Sequence, residues 1–548
     1  MTEQSVSWAL QNRALGLGVV VLCFVLFYFV GWWSQRKTTD VSDLYVAGRT
    51  IGSVTNGLGM ASTWASLATF LGVTALILNL QVPFVFLWIQ WILSIPLITL
   101  LYGTSLRRMQ AYTPASFIRE RYGKTATVIV ASWMVLIMLM YSLGQMIGLA
   151  KAFEMLFGFP YVPALFVGGI IIVGYVTIGG MYGASYNAAF QMIIMTLAFV
   201  VPLGAIMKQM GSTGWWFPPL AYGDMVPSML ELVPTFFNTN YSFKWYFALI
   251  PAFTLGPIGL PHLAMRVFTA PSLKSARWAV VWFSGFLGVL FSATYTMGFA
   301  GNFFAATTGT IIAKGDADKI TLILNVFYNP EWVTAIVIAG AVAAGLSTLN
   351  GNLLAIGALT AQDILGVFKP DMEDKDRMKI GYVVLFIAGI LSVVLAYQPP
   401  QFLVTSILWA FGICASAVTP MILLGVWWKE ANKLAGIISS LVGGFLFIIV
   451  SPYVLPKIVL GAGVTANLGM SGALFTVPLA FAIFIFLSLA FNRIPALANF
   501  NPSDADKNLV DRIHGWPDFD SSRYTGNGWA ALIGIVCISI SIWGLMPW

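Results

Sequence analysis

Ser347 and Thr348 stand side by side in an apolar stretch, Ala344-Gly-Leu-Ser-Thr-Leu-Asn-Gly-Asn352, with Asn350 and Asn352 close behind. Paired hydroxyls and amide oxygens suit a hard cation such as Na⁺, which takes about five or six neutral oxygens. A second polar group, Ser62, Thr63, Ser66 and Thr69, interrupts the apolar run from Asn56 to Gly72. The third stretch, Thr254-Leu-Gly-Pro-Ile-Gly-Leu-Pro-His262, carries two prolines and two glycines ahead of a histidine. Such a segment interrupts a helix ladder and frees backbone N–H and C=O groups to bind something. Titratable groups in comparable positions are few: His262 in the Pro/Gly stretch, and Asp363 and Glu154 near span ends. Proton coupling uses such a group in mid-membrane, so their scarcity favours Na⁺ over H⁺. No catalytic residues are assigned, and the chain does not read as an enzyme.

The elements that must position these residues are membrane helices. Of 548 residues, 59% are hydrophobic and only 9% charged, against about 25% charged in a soluble domain. Apolar runs near 20 residues recur throughout, each long enough to cross a hydrocarbon layer of about 30 Å. The spacing predicts an all-α polytopic membrane protein of about 14 spans, without the alternation of a membrane barrel. The net charge of +7 does not indicate nucleic acid, because the basic residues sit in short loops between apolar runs. Cys23, Cys414 and Cys537 lie inside apolar spans, with no spacing that suggests a metal site or a disulfide framework. No Gly-x-x-x-x-Gly-Lys loop is present to support ATP-driven pumping.

Lys and Arg fall about three to one on one side of this arrangement. That places both termini outside and Arg36, Lys37, Arg107, Arg108, Arg119, Arg121, Arg266 and Lys369 inside. We number the span over residues 13–33 as an extra helix and the next ten as core helices one to ten. The broken spans are core helices one and six. Each opens a set of five, and the two run in opposite directions, the relation found in inverted-repeat transporters. The expected organisation is one integral membrane domain over 1–548. It has an extra N-terminal helix at 11–35, a first repeat at 53–207, a second at 244–427 and peripheral helices at 434–548.

Five motifs carry a resemblance that covers nearly the whole chain. They are Asp43-Leu-Tyr-Val-Ala-Gly-Arg49, Tyr112-Thr-Pro-Ala-Ser-Phe-Ile-Arg-Glu-Arg-Tyr-Gly123, Tyr175-Val-Thr-Ile-Gly-Gly-Met181 with Gln191, Ser347-Thr348 with Asp363, and Gly425-Val-Trp-Trp-Lys429. The chain resembles the sodium:solute symporter family. The resemblance implies a five-plus-five inverted-repeat, LeuT-like core with discontinuous helices one and six, alternating access, and Na⁺ as the coupling ion. It implies Na⁺ ligands at the backbone carbonyls of Ser62, Ala65 and Ala344 and the hydroxyls of Ser347 and Thr348. One departure stands out: where the family often has Trp-Thr-Asp, this chain has Tyr186-Asn187-Ala188.

Gly259-Leu-Pro-His262 with Arg266-Val-Phe268, and Gln145 to Lys151, resemble the acetate and short monocarboxylate branch. A small anion needs a positive field without a large polar cage, and half-helix N-termini near Thr69 and His262 can supply one. Ser66, Thr69, Tyr141, Ser142, Gln145, Gly259, His262, Trp409 and Ser416 form the expected substrate site. The sequence leaves open an amino acid, sugar or other metabolite as cargo, a solute sensor and a channel. Expected partners are an organic anion and the lipid bilayer of a bacterial inner membrane, with no nucleic acid. A small membrane partner subunit is left open.

Overall fold

A computed structural model describes residues 13–176, 180–214, 217–235, 237, 243–312, 314–399, 404–450 and 472–515. Every regular element among them is helical. Ten helices are long and apolar enough to cross a membrane, and the shorter apolar helix Tyr161–Val176 accompanies them. The expected span at 527–546 lies outside the described residues, so the expectation of about 14 stands beside ten long helices. The protein is a multi-pass membrane protein.

The extra helix, Arg13–Gln35, leans on core helices five (Gly180–Gln209) and eight (Glu331–Ala358, continuing to Phe368). Core helix three is Lys124–Phe157, four is Tyr161–Val176, seven is Leu273–Thr308 and nine is Asp374–Leu395. Core helix ten runs Val404–Ile413, widens into a π turn over Cys414–Val418, and ends as Thr419–Trp427. Lys433–Val450 and Ala473–Phe491 pack against each other at the periphery.

Burial sorts these helices into layers. Core helices one, eight and ten are surrounded by protein, whereas the extra helix, core helix nine and the peripheral pair show most of their surface. The outward residues are apolar, including Leu22, Phe29, Phe386, Ile387, Phe475 and Phe486, as a lipid-facing shell requires. Inside, helices approach through small residues, the usual device where apolar burial gives no advantage over lipid. A Cβ on Gly57 of core helix one would meet Ala279 O of helix seven at 2.5 Å. One on Gly340 of helix eight would collide with Ala198 of helix five. The first half of helix one packs against helices seven, five and eight.

Candidate functional site

Core helix one stops at Trp64 and restarts at Leu67. Ala65, at φ −76° and ψ 62°, forms an inverse γ-turn in which Ser66 N–H bonds Trp64 O at 2.8 Å. In an unbroken helix the amides of Ser66 and Leu67 would close on the carbonyls of Ser62 and Thr63. Here Leu67 N–H instead meets Gln145 Oε1 of helix three at 3.0 Å. Two carbonyls at the end of the first half-helix are thereby released, where the helix dipole is negative.

Helix eight takes them up. The Ser347 hydroxyl donates to Ser62 O at 2.9 Å, and the Thr348 hydroxyl to Thr63 O at 2.9 Å. Both hydroxyls also lie beside Ala344 O, at 3.0 and 3.2 Å. Five oxygens from two helices, three carbonyls and two hydroxyls, therefore converge in one fully buried cluster. Of the five expected cation ligands, Ser62, Ala344, Ser347 and Thr348 meet in this cluster, and Ala65 occupies the turn beside it. The carbonyl of Thr63 joins them, which sequence reading missed. Its signal was available, since a break placed after Trp64 frees residues 62 and 63 together.

The second half-helix begins earlier than expected. Its first N–H groups, at Leu67 and Ala68, are held by Gln145 Oε1 and by the Ser66 hydroxyl at 3.1 Å. Thr69 lies buried in a π turn over Ala68–Val73. The helix end near Thr69 is thus capped by the protein's own side chains, and the positive field there is already taken up.

Core helix six breaks at Gly259-Leu260, between Phe243–Ile258 and Pro261–Phe268. Its freed carbonyls also find partners: Leu255 O accepts from the Thr419 hydroxyl at 2.8 Å and Ile258 O from the Tyr102 hydroxyl at 2.5 Å. Gly259 is a packing position, for a Cβ there would meet Cys414 Sγ and Thr419 Oγ1 at 2.7 Å. What the break leaves unused is at the start of the second half. His262 is 1% exposed, and neither ring nitrogen has a hydrogen-bond partner. A buried polar group without a partner calls for an explanation.

His262 faces the aromatic ring of Tyr141 edge-on, centroids 5.2 Å apart. Tyr141 in turn packs edge-on against Phe411 of helix ten at 5.8 Å, with its hydroxyl beside Ser66. Phe411 stacks on Trp64 at 5.9 Å and meets Trp91 at 5.1 Å, and Trp64 and Trp91 are themselves 5.1 Å apart. The region between the two breaks therefore carries a chain of aromatic rings, from Tyr141 beside His262 through Phe411 to Trp64 and Trp91, together with the polar groups of helix three. On that helix the Ser142 hydroxyl and the Gln145 amide nitrogen are buried without partners. Ser66, Tyr141, Gln145 and His262 converge on this centre.

Other expected residues go elsewhere. The Ser416 hydroxyl pairs with Thr476 of a peripheral helix at 2.7 Å, because the π turn in helix ten rotates it outward. Trp409 is only half-buried, while Phe411, two residues on, carries the aromatic contact. Asp363 accepts from the Thr113 and Ser116 hydroxyls at 2.5 and 3.2 Å, at the N-cap of the connecting helix Pro114–Tyr122. Glu154 pairs with Lys319 at 3.2 Å. Neither carboxylate reaches a break. Arg266 was visible in the motif but received no role; it lies fully buried one turn beyond His262.

The model of the sodium:solute symporter family matches residues 44–443. The chain belongs to that family. As a sodium:solute symporter it is a membrane carrier that couples solute movement to Na⁺. It is 26% identical over 450 residues to the uncharacterized symporter YwcA of Bacillus subtilis (strain 168), covering 80% of this chain and 86% of that one. Among solved structures, it resembles a Na⁺-coupled sialic acid symporter in a substrate-bound outward-open state. The TM-score is 0.72 at 15% identity, over 87% of this chain and 98% of that one. It also resembles Mhp1, a nucleobase-cation-symport-1 family transporter closed around bromovinylhydantoin. There the TM-score is 0.53 at 14% identity, over 86% and 99% of the two chains. These likenesses give the fold, which is the five-plus-five LeuT-like architecture with interrupted helices one and six.

Proposed function

We propose that this symporter carries a short-chain monocarboxylate, with acetate the simplest case, into a bacterial cell across the inner membrane, with both termini outside. The observation that carries the reading is His262: a buried imidazole with two unpartnered nitrogens, at the start of a half-helix, edge-on to the Tyr141 ring. A half-helix N-terminus and a ring N–H favour an anion, and Trp64, Trp91 and Phe411 favour a small apolar tail beside it. A sugar would call for many more fixed polar groups on the aromatic side. Gln145 and Ser142 support a second reading, a small amino acid, whose ammonium and carboxylate would use their spare hydrogen-bonding capacity.

In this reading Na⁺ binds at Ser62 O, Thr63 O, Ala65 O and Ala344 O with the Ser347 and Thr348 hydroxyls. The hydroxyls now donate to those carbonyls; a cation at their centre is met by the same carbonyls and, after rotation of the O–H groups, by hydroxyl lone pairs. Helices one and eight belong to opposite repeats, so the cation joins the parts that move against each other in alternating access. The first repeat at 53–207 and the second at 244–427 are the corresponding units.

The test is uptake of labelled acetate into proteoliposomes under an inward Na⁺ gradient, with propionate, pyruvate, proline and glucose as competitors. Na⁺-dependent accumulation blocked by propionate and pyruvate supports the monocarboxylate. Block by proline alone moves the cargo to the amino-acid reading, and passive, non-saturating flux would indicate a channel.

A further inference from the structure

Arg266 is 1% exposed and makes three hydrogen bonds, all to neutral oxygens. Its guanidinium nitrogens reach the Ser185 hydroxyl at 3.0 Å, the Thr63 hydroxyl at 3.0 Å and Ala184 O at 3.4 Å, while Nε has no partner. No Asp or Glu among the described residues forms an ion pair with it. A guanidinium does not give up its proton in a protein, so this is a standing buried charge without a counter-charge. Buried charges are ordinarily paired, because desolvation costs several kcal/mol for each ion.

Its position connects the two ends of the candidate site. Arg266 holds the Thr63 hydroxyl, and the Thr63 carbonyl is the oxygen to which Thr348 donates in the buried cluster. One residue thus separates the guanidinium from the proposed Na⁺ ligands. In the other direction, His262 lies four residues earlier in the half-helix Pro261–Phe268, on the same face, and its ring is within Coulombic range of the guanidinium.

We propose that Arg266 couples the two binding events: its uncompensated charge disfavours Na⁺ at the Ser62–Thr348 cluster until an anion is held at the His262 break. This rests on the monocarboxylate reading of the previous subsection for the identity of the anion. With the carboxylate absent, Na⁺ enters a site already facing a cation. With the carboxylate bound beside His262, the guanidinium has its counter-charge and the repulsion is offset. Linkage makes the effect mutual, so Na⁺ and the anion each tighten the other by the same factor. For like charges one residue apart at an effective dielectric near 20, that factor is on the order of ten to a hundred. Na⁺ alone then occupies the site poorly, which suppresses uncoupled leakage of the ion.

The same geometry offers a way to supply the counter-charge artificially. Arg266 Nη1 and Ala188 Cβ lie 3.7 and 3.8 Å from the position of a Cβ built on Gly59, hence no more than about 7.5 Å from each other, so Ala188→Asp brings a carboxylate within reach of the guanidinium.

The experiment measures binding of radioactive Na⁺ to the purified full chain, with and without saturating acetate. In the wild type, acetate should lower the Na⁺ half-saturation by about tenfold or more. Arg266→Gln and Ala188→Asp should each tighten Na⁺ binding in the absence of acetate and shrink the acetate effect to within about twofold. Arg266→Lys, which keeps a charge, should retain the wild-type pattern. Loss of a merely structural arginine would instead weaken Na⁺ binding. The proposal is overturned if Arg266→Gln or Ala188→Asp leaves Na⁺-alone binding unchanged or weaker. It is also overturned if Arg266→Lys behaves as Arg266→Gln. Should Arg266→Gln fail to fold, Ala188→Asp decides the matter with the arginine in place. If acetate has no effect on the wild type while both variants tighten Na⁺ alone, the cargo assignment fails and the role of Arg266 in opposing Na⁺ stands.

Discussion

Ser347→Ala and Thr348→Ala test the cation site most directly. Ser347→Ala removes one hydroxyl from the buried cluster, and Thr348→Ala removes one hydroxyl together with a buried methyl group. In the present structure the loss leaves Ser62 O or Thr63 O without its donor at 2.9 Å. An unsatisfied buried carbonyl costs roughly 1–3 kcal/mol, a cost that binding of a cation would relieve. Against that stands the loss of one ligand. A polar group's interaction with an ion is worth about 1.5–3 kcal/mol net, or roughly ten- to a hundred-and-fifty-fold in affinity. Because the freed carbonyl returns part of this, the expected rise in Na⁺ half-saturation lies toward the lower end, about tenfold for each variant. Ser347→Thr keeps the hydroxyl and should remain near wild type in this respect. The assay is initial-rate uptake across a Na⁺ series in proteoliposomes, with Na⁺ binding to the purified protein as a check that the effect is on the ion. Unchanged Na⁺ dependence in both alanine variants would refute the site, since no arrangement of these five oxygens binds the ion without either hydroxyl contributing.

Gln145→Leu leaves Leu67 N–H without its acceptor and should reduce uptake at least tenfold at a cost of roughly 1–3 kcal/mol in stability; Gln145→Glu, which keeps an acceptor, is the control. Lys151 and Asp318 form a buried pair at 2.6 Å, so Lys151→Met alone should destabilise the protein by about 3–5 kcal/mol, whereas the double variant Lys151→Met/Asp318→Leu should recover most of it in a detergent unfolding series. On the amphipathic helix Asp504–His514, burial raises the Asp506 carboxyl, but the Ser503 hydroxyl and amide and Lys433 at 3.0 Å hold it below its ordinary 3.8 overall. Its contribution is therefore fully present above that ordinary value and is lost as pH falls through the lower folded value. Protease protection of this helix should accordingly be flat from neutral to mildly acidic pH, with Asp506→Asn abolishing the protection lost at lower pH.

The breaks in helices one and six were legible because proline, glycine and hydroxyl residues have few other reasons to crowd an apolar run. Ser347 and Thr348 were legible for the same reason, as polar neighbours on a helix with no solvent to face. What the sequence concealed was direction. A π turn of one extra residue decides that Ser416 points to Thr476 instead of the centre, and nothing in Cys414-Ala-Ser-Ala-Val418 announces the turn. The capping of Leu67 by Gln145 joins residues 78 positions apart, so it exists only after helix three is packed. Arg266 was passed over because an arginine near an expected inner loop reads as a solvated charge. Its burial comes from Thr63, Ser185 and Ala184 on two other helices, which no local pattern reports.

The two breaks also divide the work in a way that composition alone does not suggest. At helix one, the first half-helix presents carbonyls at its negative end, and helix eight answers with hydroxyls that can reverse their role for a cation. The second half-helix there is closed to an anion, its leading amides already held by Gln145 and Ser66. At helix six the pattern is reversed. The carbonyls of Leu255 and Ile258 are consumed by Thr419 and Tyr102, and the unpartnered group, His262, sits at the positive start of the following half-helix. In the reading proposed above, one break therefore serves the cation and the other the anion. Thr63 and Arg266, in contact at 3.0 Å, are the physical link between them. If the cargo is the proposed carboxylate, such a link ties the two sites together, because two independent sites would each fill and empty on their own.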